Sequence, residues 1–331
     1  MNVSTKRSAL STALKAIACI ALGYAGLSAQ AQTFPPKKTV TMVVGFAAGG
    51  AADTGARIIA KKLGENIGAS VIVENKPGAG GNVAHLYAAQ GATDGSVILF
   101  GSVGPLAIAP HMMKIAYDPF KDLSPITMGV NFPNVLVVNN QVGIKTFADF
   151  IAFAKKNPGK LDFASTGPGS ASHLAGEMLN DMAHIDTVHI PYKGGAPAMQ
   201  DLLGGRVAAY YSTLSTALPH IESGKLIPLA STGPSRLTAL PKVPTIAESG
   251  YPGFSATNWY AFVASSKVPK DVLDRWNTEL VKVLKSPDVV DQLNSHGLIP
   301  QPGTREEFAA YLRKEYDSWG RIVRERKITA E

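Results

Sequence analysis

Four glycine-rich turns, each leading from a β-rich run into a helical run, constrain this chain more than any other feature. They are Gly45–Asp53 (GFAAGGAAD), Asn75–Asn82 (NKPGAGGN), Ser165–His173 (STGPGSASH) and Tyr192–Pro197 (YKGGAP). Around the first two, the pattern predicts strands at Thr39–Phe46, Ser70–Glu74 and Val97–Gly101, with helices at Ala52–Leu63 and Asn82–Gln90. A second series predicts strands at Val135–Asn139, Leu161–Ser165, Thr187–Ile190, Arg206–Ser212 and Leu226–Ser231. Helices Phe147–Lys156, Ser172–Met182 and Ala196–Leu203 alternate with them. Strictly alternating β and α runs imply parallel, doubly wound sheets of the α/β class. The C-terminal part changes character, to one strand at Tyr260–Ala264 and helices at Lys270–Leu284, Asp288–Ser295 and Arg305–Arg326.

The 331 residues are about two domain lengths. The N-terminus carries Lys6, Arg7 and Lys15, then the small apolar run Ala16–Leu27, then Ala29-Gln30-Ala31. A basic start, a short apolar core and an A-x-A exit predict a secretory signal peptide over residues 1–31, cleaved after Ala31. The run is too short for a bilayer span, which needs about 20 residues. Cys19, the only cysteine, lies inside the expected leader, so the mature chain would hold neither disulfides nor thiolate chemistry. Losing three of the 32 basic residues leaves 29 against 25 acidic ones, a net of +4. Those charges are scattered, without the basic blocks or interleaved aromatics of a nucleic-acid surface, so no nucleic-acid partner is expected.

The glycine turns offer one shared chemistry. A helix N-terminus leaves backbone N–H groups unpaired and favours an anion, and glycine lets a ligand approach the backbone closely. In open α/β sheets such turns gather at the carboxyl edge of the strands. None of the four matches G-x-x-x-x-G-K-[ST] or a clean G-x-G-x-x-G, which argues against nucleotides. The seven histidines show no metal-ligand spacing, and no G-x-S-x-G elbow is present. No catalytic residue, metal or cofactor is therefore expected. A small carboxylate is the expected ligand. His173 reads equally as a capping or packing residue and as a ligand contact.

At these turns the sequence resembles the Bug-type periplasmic solute receptors of tripartite tricarboxylate transporters, related to TctC. The matching stretches are FAAGGAAD at 46–53, NKPGAGG at 75–81, YDPFKD at 117–122, HLAGE at 173–177, HIPYKGGAPAMQDLLGG at 189–205, LPHIESGK at 218–225 and PKVPTIAESGYPG at 241–253. The resemblance implies a two-lobed Venus-flytrap fold, each lobe a mostly parallel sheet flanked by helices. One lobe would comprise residues 32–133 plus 257–331 and the other 134–256, with the ligand between them. It also implies that Phe46, Ala48 and Gly49 grip a carboxylate, with Asp53 in the same turn. Gly81 and Ser102 would line that lobe, facing Ser165, Thr166, Gly167, Ser170, His173, Gly194, Gly195 and Ser212 of the other.

The family often has acidic residues where Ala208 and Ser212 stand here, and their loss disfavours an amino-acid ligand. Tyr210, Tyr211 and Trp259 offer ring faces to an aromatic acid, although neighbouring strand residues alternate faces and at least one tyrosine is expected to pack. The implied partners are TctA/TctB-like membrane transporter subunits or, alternatively, a sensor kinase, with the receptor itself a monomer. A secreted hydrolase would need a nucleophile–base pair, which the sequence does not offer.

Overall fold

The computed structural model describes residues 34–329; the expected leader and its cleavage site lie outside them. The chain begins with β1 (Thr39–Val44), α1 (Ala51–Ile67), β2 (Ser70–Asn75), α2 (Asn82–Ala89) and β3 (Val97–Ser102). β1 pairs in parallel with β2 on one side and β3 on the other. Helix α1 buries Ala52, Ala56, Ile59 and Leu63, the helical spacing of one apolar face, and ends at Gly68 in the left-handed conformation (φ 64°). A π-helical turn, Gly104–Ile108, leads from β3 into the short α3 (Ala109–Met112).

β4 (Leu123–Asn139) is the longest strand among the described residues. After it come α4 (Phe147–Lys156), β5 (Leu161–Ser165), α5 (Ala171–Ala183), β6 (Thr187–Pro191), α6 (Gly195–Leu203), β7 (Ala209–Thr213), α7 (Leu214–Glu222) and β8 (Leu226–Ser231). β9 (Thr257–Ser265), α8 (Lys270–Leu284), α9 (Pro287–Ser295), β10 (Ile299–Pro300) and α10 (Arg305–Glu325) complete the fold. α4 and α10 both start with a reciprocal capping box, Thr146 with Asp149 and Thr304 with Glu307.

The strands form two sheets that share β4. Its residues up to Pro133 pair with β9, while Asn134 onward pairs with β7 and β8. The first sheet runs β2-β1-β3-β9-β4-β10 and the second β6-β5-β7-β4-β8, each parallel on its far side and antiparallel near β4. Two chain segments pass between the sheets, at Pro133-Asn134 and at Ala256-Thr257. Thr232 holds them together. Its hydroxyl accepts from the Asn134 N–H (2.9 Å) and donates to the Ala256 carbonyl (2.8 Å). Its backbone N–H reaches the Asn134 carbonyl (2.9 Å), and its own carbonyl accepts from the Ala256 N–H (2.8 Å).

The pattern of elements follows the sequence expectation except at β4, which starts earlier, and at α3, α7 and β10, which were not expected. β4 begins twelve residues before the predicted Val135, because Pro125, Gly129 and Pro133 read as breakers. The structure absorbs Pro125 and Gly129 with register shifts at Pro125/Thr127 and Met128/Val130. α7 was not expected, since Pro219 lies in its interior.

Replacing Thr232 with valine keeps the side-chain shape but strands the Asn134 N–H and the Ala256 carbonyl. Urea unfolding should show a loss of about 1–3 kcal/mol; an unchanged midpoint would mean that the hydroxyl does not tie the crossovers.

Candidate ligand-binding site

The four glycine turns meet in pairs. The first faces the fourth, where the Ala47 N–H donates to the Lys193 carbonyl (3.0 Å). The second faces the third, where Gly80 abuts Gly167 and Pro168. The approach is too close for a side chain. A Cβ on Gly167 (φ 122°) would lie 2.7 Å from the Gly80 nitrogen, and one on Gly194 (φ 148°) 2.8 Å from the Ala47 nitrogen. The lobes are thus closed against each other along both turn pairs.

Beneath this seal lies a cavity of about 20 Å³, close to the space that one ordered water needs. Phe46, Ser102, Gly104 and Tyr260 line it from the first sheet's side. Thr166, Ser170, Ala171, Ser172, Tyr210, Tyr211 and Thr213 line it from the second, and Asn134 and Asn258 come from the crossovers. No lysine, arginine, aspartate, glutamate or histidine is among them.

Positive potential comes instead from helix ends. Ser170, Ala171 and Ser172 are the N-cap and first two residues of α5, and Thr213 is the N-cap of α7 without a side-chain cap bond. Both N-termini therefore open on the cavity and favour an anion there. Ser170 donates to the Gly167 carbonyl (2.6 Å), and Ser172 accepts from the Thr166 N–H (2.9 Å). These bonds brace the third turn.

Several polar atoms of the lining residues lack any protein partner. Among the described residues they include Ser102 Oγ, both amide atoms of Asn134, and Asn258 Oδ1. Ser102 is 3 % exposed and Asn134 1 %. Buried polar side chains are otherwise paired almost without exception, so this concentration marks a place for a ligand. Asn134 and Asn258 were not found from the sequence. The available signal was an asparagine beside each expected lobe boundary, one of them followed by the apolar run Val135–Val138.

Of the residues the resemblance implied, Phe46, Ser102, Thr166 and Ser170 reach the cavity. Gly81 lies just behind it, where a Cβ would meet the Phe46 ring at 3.4 Å. Ala48 and Gly49 are exposed in the first turn, and the Gly49 N–H is taken by Asp53 Oδ2 (3.0 Å). Asp53 also pairs with Arg57 (2.9 Å). Burial opposes ionisation, yet the bonds from Arg57, Gly49 and Asn75 hold its carboxyl below the usual range. Gly167, Gly194 and Gly195 form the seal, while Ser212 is buried and donates to the Thr213 carbonyl (3.0 Å).

Ser165 and His173 stand in a layer under the third turn. Ser165 Oγ lies 2.5 Å from His189 Nε2, and the rings of His173 and His189 stack at 3.8 Å. The Gly169 N–H donates to His173 Nδ1 (3.2 Å). Burial, reinforced by the neighbouring His189, pushes His173 down to about 3, and burial pushes His189 down to about 4. His85 plays a similar part in the other lobe, with Nδ1 on the Gly81 carbonyl (2.9 Å) and Nε2 accepting from the Ser102 N–H (3.3 Å). Burial lowers it to about 4. These rings are neutral supports that orient the turns. Among the described residues no group of three His, Cys, Asp or Glu side chains could hold a metal, and no helix is long and apolar enough to cross a membrane.

Two α/β lobes sharing one long strand and closed over a buried polar cavity define the periplasmic-binding-protein fold. Comparison with known proteins agrees. Residues 55–328 match the family model described as the tripartite tricarboxylate transporter family receptor, TctC. Protein BugT of Bordetella pertussis is 36% identical over 318 residues, covering 95% of this chain and 97% of BugT. The structure of the periplasmic binding protein BugD superposes with a TM-score of 0.84 at 33% identity, covering 88% of this chain and 98% of BugD. R. palustris Rpa4515, solved with adipate, gives 0.84 at 31% identity, with 88% and 98% covered. MatC of Rhodopseudomonas palustris, solved with malate, gives 0.82 at 30%, with 86% and 98% covered. The chain belongs to the TctC family, a family of periplasmic solute receptors rather than enzymes.

The histidines set a pH dependence. In the unfolded chain they titrate near 6.5, whereas in the fold they stay neutral to about 4 or below. The unfolded state therefore binds more protons in that window, and stability, complete above pH 6.5, declines as the pH falls toward 4. Urea midpoints taken from about pH 7 to about pH 5 should fall, and fall less in a His173→Asn variant. Equal slopes in the two proteins would show that His173 is not held neutral.

Proposed function

We propose that this chain is the extracytoplasmic receptor for a small carboxylate, which it encloses between its lobes and delivers to TctA/TctB-like membrane subunits. One observation carries the reading: the N-termini of α5 and α7 converge on a closed cavity whose walls hold unpartnered hydroxyl and amide groups but no charged side chain. Helix ends and neutral donors suit a small anion that must later be released. Relatives of the same fold have been solved with adipate and with malate.

In this reading the lobes are residues 32–133 with 257–331, and 134–256. The change of β4 partners between Pro133 and Asn134 supports the first division. Residues 1–31 direct export and are removed. The carboxylate lies against Ser170, Ser172 and Thr213, with Phe46, Ser102 and Thr166 completing its enclosure. The cavity is too small for such a ligand until the lobes part slightly, so binding and hinge motion are coupled.

Thr213→Asp tests this. Aspartate is a good N-cap and should leave α7 intact, but it places a negative charge where the carboxylate is expected. Calorimetry with the carboxylate that most raises the melting temperature of the parent protein should show affinity reduced about tenfold or more, with the variant's own unliganded melting temperature maintained. Unchanged affinity would remove the anion from this end of the cavity.

A further inference from the structure

Asn134 sets a requirement on the ligand that the carboxylate alone does not meet. Its side chain is buried in the cavity wall, and both Nδ2 and Oδ1 lack protein partners. Which amide atom is oxygen and which is nitrogen does not matter here, because both positions are open. One of them donates and the other accepts. An ionised carboxylate only accepts. Set against Asn134, it satisfies the amide N–H and leaves the amide oxygen facing another acceptor, a costly arrangement in a buried site.

The surroundings narrow the choice. Asn258 lies on the adjacent strand, paired in register with Phe132, two residues before Asn134. One of its amide atoms is likewise without a partner. The Asn134 amide oxygen at the crossover end of the cavity thus asks for a hydrogen-bond donor, while the α5 and α7 end favours an anion. An ammonium group would be a donor, but no acidic side chain lines the cavity to pair with it. Asp53, the acid of the first turn, is already engaged by Gly49 and Arg57. A second carboxylate seated on Asn134 would again set an acceptor against the open amide oxygen.

Resting on the receptor reading above, we infer that the ligand is a carboxylate that also bears an uncharged hydrogen-bond donor, a hydroxyl or a carboxamide, seated on Asn134 at the crossover. A bare dicarboxylate and an amino acid are both selected against. Asn134 is then a specificity determinant, distinct from the helix ends that hold the carboxylate.

Calorimetry with ligands of one carbon skeleton tests this on the mature protein: succinate, malate, succinamate and aspartate, with benzoate and 4-hydroxybenzoate as an aromatic pair. Malate, succinamate or 4-hydroxybenzoate should bind at least about tenfold more tightly than its partner without the donor, and aspartate more weakly than malate. Asn134→Leu should erase that preference by weakening the donor-bearing ligands. Asn134→Asp, which keeps the shape if the leucine variant fails to fold, should move the preference toward aspartate. Binding of succinate or benzoate as tight as that of the donor-bearing ligand would overturn the inference and leave the carboxylate receptor standing. So would a donor preference that survives both substitutions. Binding by none of these carboxylates, with the protein folded, would overturn the receptor reading itself.

Discussion

The structure depends on one strand belonging to two sheets. β4 continues from Leu123 to Asn139 while its partners change from β9 to β7 and β8. Because the strand is unbroken, each lobe's orientation is transmitted through a few peptide units. Thr232 narrows the freedom further by bonding both crossovers at once. The chain passes between the lobes only at residues 133–134 and 256–257, so any change in their relative orientation would run through these two crossovers. The glycine turns meet across the seal, where a Cβ on Gly80, Gly167 or Gly194 would collide with the facing backbone.

The cavity obtains an anion preference without formal charge. A lysine or arginine buried there would bear a desolvation cost in the closed state and would hold a carboxylate too firmly for release. Helix N-termini spread the positive potential over several peptide N–H groups and stay neutral in sum. Neutral histidines serve the same economy one layer out. His85 fixes Gly81 and the backbone of Ser102, and the His173–His189 stack underlies the third turn, so these imidazoles add no charge beside the cavity at neutral pH.

What was legible in the sequence was local. Glycines at strand–helix junctions and alternating β and α runs are readable because each depends on near neighbours. The crossing of the chain between lobes depends on distant pairing, and it came from family resemblance, not periodicity. The first half of β4 was missed because Pro125, Gly129 and Pro133 punctuate it, and the register shifts opposite β9 accommodate the first two. The site was legible in part. Ser102, Thr166 and Ser170 stand in or beside strand–helix connections whose chemistry is visible in a short window. Asn134 and Asn258 stand at strand positions where a polar residue is ordinarily satisfied by a neighbour. Their distinction is the lack of a partner, a property of the folded molecule that no stretch of sequence displays.

That lack of partners also links binding to closure. In an open cleft, water would satisfy Asn134, Asn258 and Ser102. Closing the lobes leaves space for about one water, and each buried polar group left unpaired opposes closure by about 1–3 kcal/mol. A ligand offering both an anionic end and a donor relieves the penalty at the crossover while occupying the helix ends, so it stabilises the closed arrangement in two places at once. An anion that satisfies only the helix ends leaves the crossover penalty in force and shifts the equilibrium less. Because the unpaired amide lies at the hinge itself, the same atoms that discriminate among ligands determine how completely the lobes shut, and a transporter that recognises the shut form would respond to ligand identity through the hinge.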